Sequence, residues 1–232
     1  MDFMKKLLIL HGWGCNASVY ANLTEHLSKN YEVIIPELPG FGATAEPPTA
    51  WGVSDYAAHL CDLLDFQPDV LLCHSLGCRI AIKLLAENKI NPQKVIFTGA
   101  AGIKPKRTAS QKLKTRVFKV KKLFLKPFPK LLEKLRSKYG SADYKAASPI
   151  MRQCLVKIVN EDLTELLPFV THDTLLIWGE NDDSTPLSDG KLMESLMPNA
   201  GLAVIKNAGH YAFLEQPALF IKILDSYLGG QN

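Results

Sequence analysis

The stretch Val70–Arg79, V-L-L-C-H-S-L-G-C-R, decides the fold because it turns a buried strand directly into a helix. Its first residues form a short apolar run, and Ile80–Glu87, which follows, has helical character. Ser75 therefore lies at the tip of a sharp turn. A serine in such a strained turn needs small residues two positions before and after it, where strand and helix run close together. Gly77 and Cys73 meet that requirement.

The role of Ser75 has two interpretations. The turn exposes its hydroxyl and places the N–H of Leu76 at a helix N-terminus, where it can face a developing negative charge. A serine between a strand and a helix can equally serve as a helix N-cap. The motif x-H-S-x-G is too short to decide between them, but other parts of the chain favour a nucleophile.

The composition is that of an ordinary globular protein. The 232 residues are 47% hydrophobic and 22% charged, which predicts one domain with a large core and room for one insertion. The apolar run near the start is too short for a signal peptide, and no later stretch reaches membrane-spanning length. Five cysteines form no C-x-x-C pair and no cluster with histidine, so neither a disulfide framework nor a metal site is indicated. We expect a reduced, cytoplasmic protein that is not transmembrane.

Short apolar runs alternate with helical patterns of about a dozen residues along most of the chain. This alternation predicts an α/β fold with a mostly parallel sheet and helices on both faces. The predicted strands are Lys6–Leu10, Tyr31–Ile35, Val70–Leu72, Val95–Phe97, Thr174–Trp178 and Leu202–Ile205, and the predicted helices are Val19–Lys29, Ser54–Phe66, Ile80–Glu87, Leu187–Met197 and Pro217–Leu228.

One segment interrupts this alternation and carries most of the positive charge. Residues 103–160 contain seventeen Lys and Arg and only two acids, whereas the rest of the chain has ten basic and twenty-one acidic residues. Helical spacing recurs in it over Lys112–Lys126, Leu131–Tyr139 and Ile150–Val159. We predict that residues 103–160 form a helical insertion, the basic cap, in a core made of residues 1–102 and 161–232.

A serine nucleophile needs a general base, and the base needs a carboxylate. His210 follows the last strand and so lies at the same edge of the sheet as the serine, whereas the other histidines fall in helices, in turns or at the opposite edge. Glu180, Asp182 and Asp183 follow the fifth strand at that edge, although acids that only solvate a loop would form the same cluster. The loop after Val95–Phe97 contains no acid, which removes the main competing position.

The motifs at the strand ends resemble those of the α/β-hydrolases. They are H-G-W-G after the first strand, P-E-L-P-G-F-G after the second, H-S-L-G at the turn, G-E-N-D-D-S-T-P at the acid loop and N-A-G-H at the end. The order Ser, Asp, His is the one that this family uses. The resemblance assigns the acid to Asp182 rather than Asp183, and the first oxyanion donor to the backbone N–H of Trp13.

The resemblance thus implies an α/β-hydrolase fold with a catalytic triad of Ser75, Asp182 and His210. The N–H groups of Trp13 and Leu76 would form the oxyanion hole. Cys73 departs from the family pattern, because it replaces the usual first glycine of the elbow. The chain also begins at what resembles the third strand of the family, so the sheet should have about six strands.

The implied activity is hydrolysis of a carboxylic ester through an acyl-enzyme intermediate. A serine at the elbow argues against haloalkane dehalogenases and epoxide hydrolases, which place an aspartate there. The sequence has no P-loop, Rossmann fingerprint or metal box, so no cofactor is expected. Lipases, thioesterases, C–C bond hydrolases and cofactor-free perhydrolases share the same triad, and a hydrolase fold reused as a ligand receptor would keep the pocket.

The methyl-ester carboxylesterases of biotin synthesis are similar in three features: the H-G-W-G turn followed by Cys15 and Asn16, the elbow H-S-L-G and the basic cap. Substrate choice should depend on the cap. Those enzymes act on an acyl chain held by an acidic carrier protein, so an acyl-carrier-linked or small-molecule ester is expected. The cap lysines can also be a solvated helical face without a partner, or bind an acidic protein or an anionic lipid surface through Lys112–Lys126. Nucleic acid is not expected, because the cap stands over the catalytic pocket and lacks a known binding motif.

Overall fold

A six-stranded sheet lies at the centre of the computed structural model, which describes residues 4–104, 116–117, 121, 124, 127–128, 131 and 141–229. The strands are β1 (Lys5–Leu10), β2 (Tyr31–Ile34), β3 (Val70–His74), β4 (Lys94–Thr98), β5 (Thr174–Gly179) and β6 (Ala200–Ile205). Their order is β2-β1-β3-β4-β5-β6, and every neighbouring pair is parallel. The predicted parallel α/β sheet of six strands is confirmed.

Helices cover both faces of this sheet. In the described ranges the helices are α1 (Ala21–Leu27), α2 (Val53–Leu63), α3 (Leu76–Ala86), α4 (Ala142–Ala146), α5 (Pro149–Asn160), α6 (Leu187–Leu196), α7 (Ala212–Glu215) and α8 (Pro217–Leu228), with 3₁₀ turns at Ala17–Tyr20 and Thr164–Phe169. Buried residues of α2, α3 and α6 share one apolar core with Leu8 and Leu10 of β1. Those of α1, α7 and α8 share the other with Leu7 and Ile9. Burial on both faces explains why the strands read as continuous apolar runs.

The strand order changes direction between β1 and β3. β1 pairs with β2 on one side and with β3 on the other, and Leu10 lies opposite Cys73 in the register. In open parallel sheets, ligands bind beyond the carboxyl ends of the strands at such a point. The turn after β1 and the turn after β3 therefore leave the sheet side by side, where a site is expected.

The ends of α2 differ from the prediction. The helix begins at Val53 with Gly52 as its N-cap, so Ser54 lies inside the helix and does not cap it. The N–H of Gly52 donates to Oδ2 of Asp55 at 2.7 Å. The carboxylate of the third helical residue thus accepts the N–H of the N-cap, which is one half of a capping box. The helix also ends at Leu63, before the predicted end at Phe66.

The described part of the basic cap includes α4 and α5. Ser148 caps α5 by accepting a hydrogen bond from the N–H of Met151 at 3.2 Å, and a proline occupies the first turn of the helix. Met151, Cys154 and Ile158 of α5 are buried in the apolar core that α2 and α3 also share. The predicted helices Lys112–Lys126 and Leu131–Tyr139 lie outside the described residues except for isolated positions, and the division into core and cap stays a prediction.

Two further observations concern membrane-spanning helices and the cysteines. Among the helices in the described ranges, none combines the length and the apolar character needed to span a bilayer. All five cysteines are free thiols, of which Cys61 is exposed and the others are buried.

Candidate active site

Ser75 occupies the turn between β3 and α3 in a strained backbone conformation. Its φ is 49° and its ψ is −107°. Three non-glycine residues of the described ranges have a positive φ, and the other two are Asn88 and Asn207. Asparagine tolerates this region, whereas serine does so at a cost that surrounding structure must sustain. The Ser75 side chain makes no capping hydrogen bond with α3, so helix capping does not explain the residue.

The close approach of α3 to β1 explains why Gly77 follows the serine. A Cβ atom at this position would lie 2.1 Å from the carbonyl oxygen of Leu10, which is far inside van der Waals contact. Cys73, two residues before Ser75, is fully buried in β3. Glycine is therefore required at position 77 because α3 packs closely against β1 there.

Asp182 and His210 are in direct contact at the carboxyl edge of the sheet. Nδ1 of His210 donates to Oδ2 of Asp182 at 2.8 Å, and the Asp182 side chain is completely buried. Asp183 and Glu180 are exposed. Of the three carboxylates that the sequence places in this loop, Asp182 is thus the one that contacts the histidine.

The Asp182 carboxylate receives several further hydrogen bonds. Its Oδ1 atom accepts the N–H groups of Ser184 and Thr185, each at 2.8 Å, and its Oδ2 atom accepts the hydroxyl of Thr185 at 2.9 Å. Burial opposes ionisation of the carboxyl, but the hydrogen bonds from His210 and Thr185 outweigh it and lower the pKa of Asp182. The carboxylate is therefore negatively charged at neutral pH.

A second histidine, His74, packs against His210. The centroids of the two rings are 4.8 Å apart, and Nε2 of His74 donates to the backbone carbonyl of His210 at 3.2 Å. Burial, reinforced by the nearby His210 ring, lowers the pKa of His74 to about 3. His74 therefore holds the backbone of His210 while staying neutral.

The turn after β1 is fixed by His11. Its Nδ1 atom donates to the carbonyl of Gly12 at 2.8 Å, and its Nε2 atom accepts the N–H of Leu38 at 3.0 Å. Burial lowers the pKa of His11, which keeps the ring neutral and able to accept that bond. The histidine of H-G-W-G thus joins this turn to the loop P-E-L-P-G-F-G.

Gly12 brings the same turn against the elbow. A Cβ atom on Gly12 would lie 2.6 Å from Nδ1 of His74 and 3.3 Å from Cβ of Ser75. The backbone N–H groups of Trp13 and Leu76 have no hydrogen-bond partner within the described parts of the chain. Both donors are thus available on the segments that flank Ser75.

The loop after β4 completes the surroundings of the acid–histidine pair. A Cβ atom on Gly99, whose φ is +50°, would lie 3.1 Å from Nδ1 of His210 and 3.2 Å from Oδ2 of Asp182. Among the contacts of the described residues, no hydrogen bond joins the Ser75 hydroxyl to His210. The structure therefore pairs Asp182 with His210, whereas the pairing of His210 with Ser75 stays a prediction.

Three supporting residues were not identified from the sequence. The sequence assigns His11 to the turn after the first strand and His74 to the elbow, but it predicts no contact for either residue. It predicts no role for Thr185. The backbone contacts of Asp182 have a local signal, because Asp side chains in loops commonly accept N–H groups a few residues on, but the contact of the Thr185 hydroxyl has none. The contacts of the two histidines have no such local signal.

The described residues contain no group of three His, Cys, Asp or Glu side chains able to hold a metal ion.

Comparison with known proteins identifies the family of this chain. The alpha/beta hydrolase family model matches residues 7–223. A pimeloyl-[acyl-carrier protein] methyl ester esterase from Legionella pneumophila is 26% identical over 235 residues, which cover 96% of this chain and 94% of that protein. A 2-hydroxy-6-oxo-2,4-heptadienoate hydrolase from Pseudomonas putida is 22% identical over 251 residues, covering 97% and 90%.

A solved esterase structure from Exiguobacterium antarcticum superposes with a TM-score of 0.76 and 25% identity, covering 97% of this chain and 92% of that one. The family match extends from within β1 into α8 and so includes most of β1, the other five strands, Ser75, Asp182 and His210. The chain therefore belongs to the alpha/beta hydrolase family.

Proposed function

We propose that this hydrolase cleaves a carboxylic ester, with Ser75 as nucleophile, His210 as general base and Asp182 as the carboxylate that orients the base. The observation that carries the proposal is the buried Asp182–His210 hydrogen bond of 2.8 Å at the sheet edge where Ser75 occupies a strained turn. A base held by a carboxylate near a serine at an elbow is the arrangement that activates a hydroxyl nucleophile. The proposed reaction needs no cofactor.

In the first step, Ser75 Oγ bonds to the ester carbonyl carbon and its proton passes to Nε2 of His210. Asp182 accepts the Nδ1–H of the histidine, which keeps Nε2 free to take the proton and stabilises the imidazolium that forms. The tetrahedral intermediate then collapses, the bond to the alcohol oxygen breaks, and His210 returns the proton to that oxygen. The products of this half are the free alcohol and an acyl-serine.

The N–H groups of Trp13 and Leu76 are the proposed oxyanion donors. They flank Ser75 and have no competing partner among the described residues. The Leu76 N–H also opens α3, where the helix dipole favours negative charge. Loss of one such donor typically raises the barrier by about 3 kcal/mol.

In the second half, water replaces the alcohol. His210 takes a proton from the water as its oxygen bonds to the acyl carbon, and the bond to Ser75 Oγ breaks with return of the proton to the serine. The product is a carboxylic acid, and the enzyme is regenerated. Hydrolysis of the acyl-serine allows repeated turnover. It therefore distinguishes an enzyme from a receptor that is acylated once.

Similarity to the Legionella methyl ester esterase supports an ester of a carrier-linked acyl chain as substrate. The 17 basic residues in residues 103–160, against two acids, are suited to an acidic carrier. The 22% identity to the Pseudomonas heptadienoate hydrolase supports a second candidate, C–C bond hydrolysis on the same residues.

Five free thiols fit a reducing compartment, and we propose that the protein is cytoplasmic.

The test is hydrolysis of short p-nitrophenyl esters by the wild type and by Ser75→Ala and His210→Ala. Each variant should lose turnover while circular dichroism and the unfolding midpoint stay close to those of the wild type. Near wild-type turnover in either variant would contradict the assignment. A single stoichiometric burst without turnover would favour a receptor, and cleavage of a vinylogous diketone without cleavage of any ester would favour the C–C hydrolase.

A further inference from the structure

The Thr185 hydroxyl lies beside the hydrogen bond that joins Asp182 to His210. It donates to Oδ2 of Asp182 at 2.9 Å and is 3.4 Å from Nδ1 of His210. Oδ2 is the same oxygen that accepts the Nδ1–H of His210. The hydroxyl therefore acts on the atom through which the carboxylate holds the base.

The position of this hydroxyl is determined by its backbone. The indole N–H of Trp178, a fully buried residue of β5, donates to the carbonyl of Thr185 at 2.7 Å. Thr185 itself is 8% exposed, and its own N–H donates to Oδ1 of Asp182. With backbone and side chain each bound to a buried partner, Thr185 has little freedom to rotate its hydroxyl away.

Four donors thus fix the carboxylate. Oδ1 accepts two backbone N–H groups from Ser184 and Thr185, and Oδ2 accepts His210 and the Thr185 hydroxyl. Backbone donors alone hold one oxygen, so the carboxylate could still tilt Oδ2 away from the histidine. The hydroxyl opposes that movement because it binds the second oxygen.

We propose that Thr185 is a positioning residue that aims Oδ2 of Asp182 at His210. This inference rests on the proposed function, since it concerns the same acid and base. Loss of the hydroxyl leaves Oδ2 with one donor instead of two. The carboxylate is then freer to turn Oδ2 away from His210, which weakens its hold on the base and on the imidazolium that forms.

Other ionisable groups face the pair and must be unchanged in the test. His74 packs against the His210 ring from the end of β3, and its buried ring stays neutral. Asp189 of α6 lies near enough to be affected by the Asp182 charge, and burial followed by that charge raises its pKa. Both residues are kept in every variant, so a difference between variants reports on position 185.

The experiment compares Thr185→Val, Thr185→Ser and Thr98→Val. Valine replaces the hydroxyl by a methyl group of similar size, and serine restores the hydroxyl. Thr98 is the matched control, since it is fully buried but its Oγ1 atom has no hydrogen-bond partner in the described part of the chain. Ester hydrolysis is followed against pH, and the Nδ1–H proton of His210 is followed by NMR through the same pH range.

Thr185→Val should lower kcat about 10- to 100-fold, as expected for loss of a hydrogen bond to a charged group. The NMR signal of the His210 Nδ1–H proton should move upfield, because its hydrogen bond to Oδ2 is weaker; Thr185→Ser should restore both kcat and the signal, and Thr98→Val should change neither. The inference is overturned by a Thr185→Val variant with wild-type kcat and a wild-type Nδ1–H signal, by failure of serine to restore them, or by equal losses in Thr98→Val. The Nδ1–H signal tests Thr185 even if the wild type hydrolyses no ester, so the two proposals can fail separately.

Discussion

The Nε2 atom of His74 donates to the backbone carbonyl of His210 across 136 residues of sequence, at a distance of 3.2 Å. His74 directly precedes the serine of the elbow, and His210 directly follows Gly209 in the loop after β6. One buried side chain therefore ties the nucleophile's turn to the loop that carries the proposed base. Since the ring is neutral, it provides this link without adding a charge beside the base.

His74 should make the stability of the protein depend on pH. Its pKa is about 3 in the folded state, below the usual value near 6.5, so the unfolded chain binds a proton that the folded chain excludes. Stability is therefore fully present above about pH 6.5 and is lost as the pH falls, by about 2 kcal/mol from this residue between pH 7 and pH 5.

Urea denaturation over a pH series measures this effect. A His74→Phe variant should be less stable than the wild type at pH 7, because the His210 carbonyl loses its donor, and should lose less stability on acidification. The stability of the variant should still fall somewhat as the pH falls, because burial also lowers the pKa of His11. Parallel curves for the variant and the wild type would show that His74 does not titrate in the way described.

Replacement of Asp182 by Asn should lower kcat by about four orders of magnitude while leaving the fold intact. An amide cannot hold the Nδ1–H of His210 in the required tautomer or stabilise the imidazolium. Asp183→Asn is the matched control on the adjacent residue, which is exposed, and should have a mild effect. Steady-state kinetics on one ester decides between them, and a larger loss in Asp183→Asn would show that the acid has been assigned to the wrong residue.

Gly77→Ala tests the contact between α3 and β1. Helix propensity alone favours alanine by about 1 kcal/mol. The added Cβ would lie 2.1 Å from the Leu10 carbonyl, so we expect destabilisation by about 1–3 kcal/mol and loss of activity as the elbow shifts.

Gly201→Ala is the control for this substitution. Gly201 lies in β6, where an added Cβ meets no atom within 4 Å, so alanine should be neutral or slightly stabilising there. Thermal unfolding of both variants provides the measurement. Equal stability of Gly77→Ala and the wild type would mean that helix and strand can separate without cost.

Charge reversal tests whether the basic cap recruits an acidic partner. Lys119, Lys121 and Lys122 are changed together to Glu; Lys121 is exposed, and the other two lie outside the described residues. If a carrier-linked or lipid ester is drawn to this segment, its apparent KM should rise, the rise should shrink at high salt, and kcat on a small neutral ester should hardly change. Equal changes for both kinds of ester, or no change across the salt series, would indicate a solvated face without a partner.

The ends of the secondary structure elements show how far local patterns reach. The predicted helix Pro217–Leu228 has the bounds of α8, because a proline begins it and a glycine in the left-handed conformation follows it. The start of α2 was predicted incorrectly, because the choice of N-cap depended on the carboxylate of Asp55 reaching back to Gly52. Local residue types predict that a helix exists more reliably than which side chain caps it.

By itself, the sequence determined the parallel α/β sheet, the elbow at Ser75 and the strand ends that carry the candidate acid and base. These features follow from periodicity and from motifs that lie within a few residues of each other. Only the tertiary structure decided the contact of Asp182 with His210, the link from His74 and the position of the Thr185 hydroxyl. Those contacts depend on which strands, distant in sequence, lie side by side in the sheet. They also depend on burial, because buried polar groups need hydrogen-bond partners.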